Sequence, residues 1–173
     1  MKVSDYKSEM NSKLREATLC FLVKGDMILL AMKKTSFGKG KWNGPGGKVE
    51  PGETVEQAAV RETQEEIGVT PRALKKAAEL EFYFYSEDRR PSPFDQKVTV
   101  YVTEEWDGEP KESEEMAPKW HRKDSLPLES MWADDSFWLP SVIAGNFVEA
   151  IFLFDGKADK MLDHLVLEKG RYL

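Results

Sequence analysis

The sequence predicts one mixed-sheet domain of the α/β or α+β class, and three observations carry that prediction. Short runs rich in β-branched, aromatic and apolar residues recur along most of the chain. One long capped helical segment sits between them, with a shorter one later. No internal repeat or low-complexity tract interrupts the series, so a solenoid or a fibrous chain is excluded. At 173 residues there is enough chain for a single core and too little to require a second.

Taken in order, residues 1–16 are polar and charged with little periodicity, and they read as a flexible arm or short helix outside the core; the single domain is then 17–173. Thr18 to Val23 and Met27 to Met32 are apolar runs parted by Lys24-Gly25-Asp26, the pattern of a hairpin with a short glycine turn. Lys33 to Gly52 holds six glycines and two prolines in twenty residues, which predicts a loop without regular structure. That loop carries Phe37 and Trp42, and aromatic-bearing loops often build sites. Thr54 can cap a helix that runs to Ile67 and stops at Gly68. Glu79 to Tyr85 and Lys97 to Val102 are β-rich, and Ser86 to Gln96 between them is loop because of Arg89-Arg90-Pro91-Ser92-Pro93. A short strand at Lys119 to Arg122, a helix at Phe137 to Ala144 and closing strands at Phe147 to Phe154 and Met161 to Glu168 complete the series.

Composition narrows the function. The 25 Lys and Arg against 31 Asp and Glu give a net charge of −6, which argues against holding long nucleic acid by neutralising phosphates. A small substrate remains possible, and a phosphate-rich one would need a cation or local lysines such as Lys33, Lys34, Lys39 and Lys41. Those lysines are equally a solvated basic loop. No apolar run approaches the ~18 residues of a membrane span, and the opening residues lack the apolar core of a signal peptide. A cytoplasmic location with no membrane partner is expected. The single cysteine, Cys20, sits in an apolar run and reads as a small buried side chain.

The chemistry-bearing pattern lies on the first helix. Glu62, Glu65 and Glu66 are spaced i, i+3 and i+4, so their carboxylates share one face within reach of one ion. Like charges about 6 Å apart repel by roughly 2–3 kcal/mol per pair at an effective dielectric near 20. Oxygen ligands without His or Cys suit Mg²⁺ or Mn²⁺ rather than zinc. The spacing alone is also that of a solvated acidic face.

The wider string GKVEPGETVEQAAVRETQEEIGV resembles the signature box of the Nudix hydrolase family, with Gly47, Glu53, Arg61, Glu62, Glu65, Glu66 and Gly68 at the fixed positions. Thr63 departs from it, standing where an aliphatic residue is usual. The resemblance implies a Nudix fold, a mixed sheet sandwiched between helices, with a catalytic loop-helix-loop. It implies Mg²⁺, or Mn²⁺ in its place, held by Glu62, Glu65, Glu66 and the Gly47 carbonyl, and a brace between Glu53 and Arg61. Glu66 is expected nearest the attacking water.

Four further segments, MKKTSFGKGKWNGPGGKVEPGET, EFYF, ESEEM and MWADDSFWLP, are similar to the MutT-type branch that hydrolyses oxidised purine nucleoside triphosphates. They imply base recognition by Asn43, Asp134 and Asp135, with Trp132 as a flat wall and Phe37, Phe82 and Phe84 completing the pocket. Phe82 and Phe84 share one strand face and fit an ordinary core as well. Lys33 and Thr18 match positions lining that branch's nucleotide site, and Glu115 matches a residue used near the metal. Adjacent aspartates in an apolar pocket repel, so one should hold a proton near neutral pH and could meet either 8-oxo-guanine or 2-hydroxy-adenine.

The expected activity is hydrolysis of 8-oxo-dGTP and 2-hydroxy-dATP to monophosphate and diphosphate by a monomer, sanitising the nucleotide pool. A Nudix hydrolase of another diphosphate-linked substrate, such as a dinucleotide polyphosphate, NDP-sugar, NADH or capped RNA, is the alternative. So, from another class, is a nucleotide-binding module without catalysis.

Overall fold

A computed structural model describes residues 1–10 and 13–173. Its centre is a mixed sheet built from β1 (Arg15–Lys24), β2 (Met27–Lys33), β3 (Trp42–Asn43), β4 (Gly46–Lys48), β6 (Lys75–Phe84), β7 (Gln96–Thr103), β9 (Met116–Arg122), β10 (Asn146–Phe154) and β11 (Met161–Arg171). Strand order is β11-β10-β6-β7-β1-β2-β3, with β4 added to β1 and β9 to β2. The β1–β7 and β10–β6 pairs are parallel, and the rest are antiparallel. A separate two-stranded ribbon joins β5 (Thr70–Arg72) to β8 (Glu105–Asp107).

Side-chain alternation gives the sheet two covered faces. On one, Cys20, Leu22, Leu29 and Ala31 pack under Ala59 and Ile67 of α2 (Val55–Ile67). On the other, Phe21, Ile28, Leu30 and Val100 pack under Trp138, Leu139 and Val142 of α3 (Asp135–Ile143). The expected mixed sheet between helices is what the chain forms. Helix α2 is set by its ends. The Thr54 hydroxyl accepts the Gln57 N–H at 3.1 Å, the Gln57 side chain accepts the Thr54 N–H at 2.9 Å, and Gly68 closes the helix in the left-handed region at φ 74°.

The expectation that residues 1–16 lie outside the core needs correction. Residues Val3–Glu9 form helix α1, and Arg15 and Glu16 already belong to β1. Val3, Tyr6 and Met10 are buried on the α2 side of the sheet against Tyr83 and Leu153. These apolar residues recur at a helical interval, and burying them outweighs the polar character of the rest. A second correction concerns Lys33 to Gly52, which contains two short strands. Glycine-rich β4 pairs with β1 through Thr18↔Gly47 and Leu19↔Gly46 because only glycine fits there: a Cβ at Gly46 would stand 1.9 Å from the Thr18 carbonyl oxygen. Helix α3 begins at Asp135, two residues ahead of the expected start, which draws the aspartates into its first turn. Among the described residues, no helix is long and apolar enough to cross a membrane.

Candidate active site

Helix α2 presents the acidic cluster at the edge of β4. Arg61 organises it: Nε donates to Glu53 Oε2 at 2.7 Å and one terminal nitrogen to Glu53 Oε1 at 2.9 Å, a bidentate pair. The other terminal nitrogen reaches Glu62 at 2.8 Å and Glu65 at 3.2 Å. The Lys48 carbonyl accepts from Arg61 at 3.1 Å, and the Glu50 N–H donates to Glu53 at 3.0 Å, so the guanidinium ties the helix to the loop before it. These bonds hold the Glu53 carboxyl down at about 2.

The spacing predicts that Glu62, Glu65 and Glu66 share one face within reach of one ion. Glu62 and Glu65 turn toward Arg61, the cation their oxygens reach, and among the described residues no three metal-binding groups form a ready cage. Glu66 lies deeper, with Oε2 accepting the Gly46 N–H at 3.2 Å. Burial, with the charges of Glu62 and Glu115 adding, pushes its carboxyl up to about 8. Glu62 is raised too, by burial first. Its carboxyl carbon would be 2.5 Å from a Cβ at Gly47, so the glycine is what lets carboxylate and backbone approach. Glu62, Glu65 and Glu115, with Ser113 and Glu114, line an open groove of about 440 Å³. Oxygen-only, with Glu62 half-buried and Glu65 and Glu115 open to solvent, this set fits a hard dication. Thr63 costs the helix little, because it is buried and its hydroxyl donates to the Ala59 carbonyl at 2.7 Å.

On the α3 face a cavity of about 230 Å³ opens beside β4. Phe82 and Phe84 form one wall, Trp132 and Trp138 another, and Asn43, Asp134 and Asp135 supply the polar groups. A purine is a flat ring system with polar edges, and the cavity exceeds the ~150 Å³ that admits benzene. Asp134 Oδ2 accepts the Trp138 indole N–H at 2.9 Å, and Asp135 Oδ2 accepts the Trp132 backbone N–H at 3.1 Å. Both carboxyls are driven above the ordinary range by burial, Asp135 further by the charge of Asp134. Asn43 Oδ1 accepts the Gly44 N–H at 2.8 Å, which commits its acceptor and leaves the amide N–H₂ as its donor side.

Other expected residues stand further off. Phe37 is 73% exposed and lies against Trp132, 5.1 Å between ring centres, outside the cavity wall. Lys33 does not line the cavity, and its charge acts instead on Glu66. Thr18 contributes to the cavity wall, yet its alternation places the side chain with Cys20 and Leu22, toward α2. Its buried hydroxyl has no protein partner among the described residues. Trp138, expected only to pack, holds Asp134; its place one helical turn after Asp134 was the available signal. Gln96 and Phe154 also line the cavity without a signal of their own.

Sequence comparison decides the lineage, since a NUDIX domain model matches residues 13–142. The chain belongs to the Nudix family. It is 42% identical over 147 residues to an oxidized purine nucleoside triphosphate hydrolase of Danio rerio, covering 85% of this chain and 90% of the relative. It is 40% identical over 132 residues to a Mus musculus protein of the same description, covering 76% and 81%. A solved mutator MutT protein from Bacillus halodurans superposes with a TM-score of 0.76 at 26% identity, covering 88% of this chain and 97% of that one. In this Nudix chain α1, β10 and β11 fall outside the matched residues.

Proposed function

We propose that this Nudix chain hydrolyses purine nucleoside triphosphates carrying an oxidised base, 8-oxo-dGTP and 2-hydroxy-dATP among them, to monophosphate and diphosphate, so cleansing the nucleotide pool. The observation that carries the reading is the buried Asp134–Asp135 pair beside Asn43, in an aromatic cavity joined through β4 to the acidic face of α2. A carboxyl pair that readily holds a proton can donate to one base edge or accept from another. Similarity to the Danio rerio and Mus musculus hydrolases supports the same substrate class. The active form is a cytoplasmic monomer acting on a small nucleotide rather than on long nucleic acid.

Mg²⁺, with Mn²⁺ as a substitute, would be held by Glu62, Glu65, Glu66, Glu115 and the Gly47 carbonyl. When bound it withdraws charge from the diphosphate oxygens. Glu66 would take the proton of the attacking water, its carboxylate fixed by the Gly46 N–H. Arg61 and Glu53 keep the loop and helix in register. Phe82, Phe84, Trp132 and Trp138 exclude water from the base.

Steady-state rates on 8-oxo-dGTP, 2-hydroxy-dATP, dGTP, diadenosine polyphosphate, ADP-ribose and NADH with Mg²⁺ test the reading. A kcat/KM more than tenfold higher for the oxidised purines is expected. A preference for ADP-ribose would overturn the base assignment, and no turnover at all would indicate a binding module.

A further inference from the structure

We propose that α1 and the connection 86–95 form a latch that positions Phe84, with Phe94 packed against it, as one wall of the base cavity, with Tyr6 and Arg89 as its positioning residues. The inference rests on the purine reading of that cavity. Strand β6 parts from β7 after Phe82↔Gln96, so the backbone of Phe84 loses its partner on that side. Two side chains from elsewhere replace it. Asp95 Oδ1 accepts the Phe84 N–H at 2.9 Å, and the Tyr6 hydroxyl donates to the Phe84 carbonyl at 3.2 Å. The same hydroxyl accepts the Ser86 N–H at 3.1 Å, while Asp95 Oδ2 accepts the Ser92 N–H at 2.9 Å. Phe84 is therefore clamped through its main chain from both ends of the connection.

Arg89 closes the latch from outside. Its guanidinium stands 5.2 Å from the ring centres of both Tyr6 and Tyr85, its Nε donates to Glu9 of α1 at 2.6 Å, and a terminal nitrogen donates to the Ser86 carbonyl at 3.3 Å. At φ 56°, Arg89 adopts a left-handed conformation unusual for a side chain of its size, a cost that the contacts to Tyr6, Tyr85 and Glu9 offset. The connection held in this way carries Phe94 edge-on to Phe84, 6.3 Å between ring centres, with Phe94 61% exposed. A flat base filling the cavity meets Phe84, which Phe94 backs edge-on. Of the two parts of the latch, α1 lies outside the residues matched by the family model and the connection 86–95 lies within them.

The test uses the full chain and two variants, Tyr6→Phe and Arg89→Ala. Calorimetric binding of 8-oxo-dGMP is expected to weaken about fivefold in each, the effect of one lost hydrogen bond or charge contact. On 8-oxo-dGTP the KM should rise by a similar factor with kcat little changed. Equal affinity and KM in both variants, with only a lower melting temperature, overturn the proposal and leave α1 as a structural brace. Hydrogen exchange reads the latch without nucleotide: residues 84–95 should exchange faster in both variants while residues 98–103 do not, and unchanged exchange overturns it. A wild-type chain that binds no purine monophosphate overturns the purine reading instead, and with it the assignment of the latch to the base.

Discussion

Glu66 and the Asp134–Asp135 pair share one physical condition, a carboxyl taken out of water, where burial outweighs the nearby charge of Lys33 on Glu66 and of Lys41 on Asp135. For Glu66 the consequence is basicity. Glu66→Gln keeps the side chain's shape and removes the base, so kcat should fall about 10²- to 10⁴-fold, measured by release of diphosphate. A variant retaining full rate would move the role to Glu62 or Glu65. For Asp135 the consequence is pH dependence of stability. Its folded pKa is raised, so the unfolded chain ionises first as pH climbs past about 4, and folding loses free energy from there up to the folded pKa. Asp135→Asn cannot ionise and should escape that loss. Its melting temperature relative to wild type should climb between pH 4 and pH 8, whereas parallel curves would show that Asp135 ionises freely in the folded state. The glutamates and aspartates were legible in the sequence because reaction chemistry fixes their type and their spacing is local. Trp138 was not, because an indole in an apolar segment looks the same whether it packs or also holds a carboxylate.

Among the elements, α2 and α1 show what local sequence can and cannot carry. Helix α2 announces itself through Thr54, Gln57 and Gly68, whose capping chemistry acts within a few residues. Helix α1 has no side-chain cap, and its apolar residues Val3, Tyr6 and Met10 are outnumbered by charged neighbours. Its stability comes from Tyr83 and Leu153, far along the chain, so its docking could not be read locally. Val3→Asp separates the two descriptions. On a loose arm the change is silent, whereas against the docked face it buries a lone charge and should cost about 2–4 kcal/mol, read by denaturant titration and by faster proteolysis near residue 10. Strands β3 and β4 were hidden for a related reason. Gly46 and Gly47 have poor strand propensity, and the pairing that makes them a strand comes from β1.

At the scale of the whole molecule, a cation held in the acidic groove as proposed would make stability depend on it. A dication bound only by the folded chain should raise stability by about 2.7 kcal/mol at a concentration 100 times its dissociation constant. For a chain of this length that is about 5–10 °C in melting temperature. The rise should be larger at pH 8 than at pH 6, because protons compete with the metal for the carboxylates, and smaller in Glu66→Gln. Melting curves with Mg²⁺ against EDTA check it, and equal curves at both pH values would deny the groove its metal. The broad fold was legible because strand runs and one capped helix constrain a small set of layered architectures; strand order was not, since it depends on pairings between distant segments. Strand β1 gives alternate side chains to two sides, Cys20 and Leu22 toward α2, Ala17 and Leu19 toward the base cavity. The proposed sites for cutting and for reading thus lie on opposite faces of one strand. Descendants of such a chain can rewrite the letter they recognise on one surface while inheriting the scissors on the other unchanged.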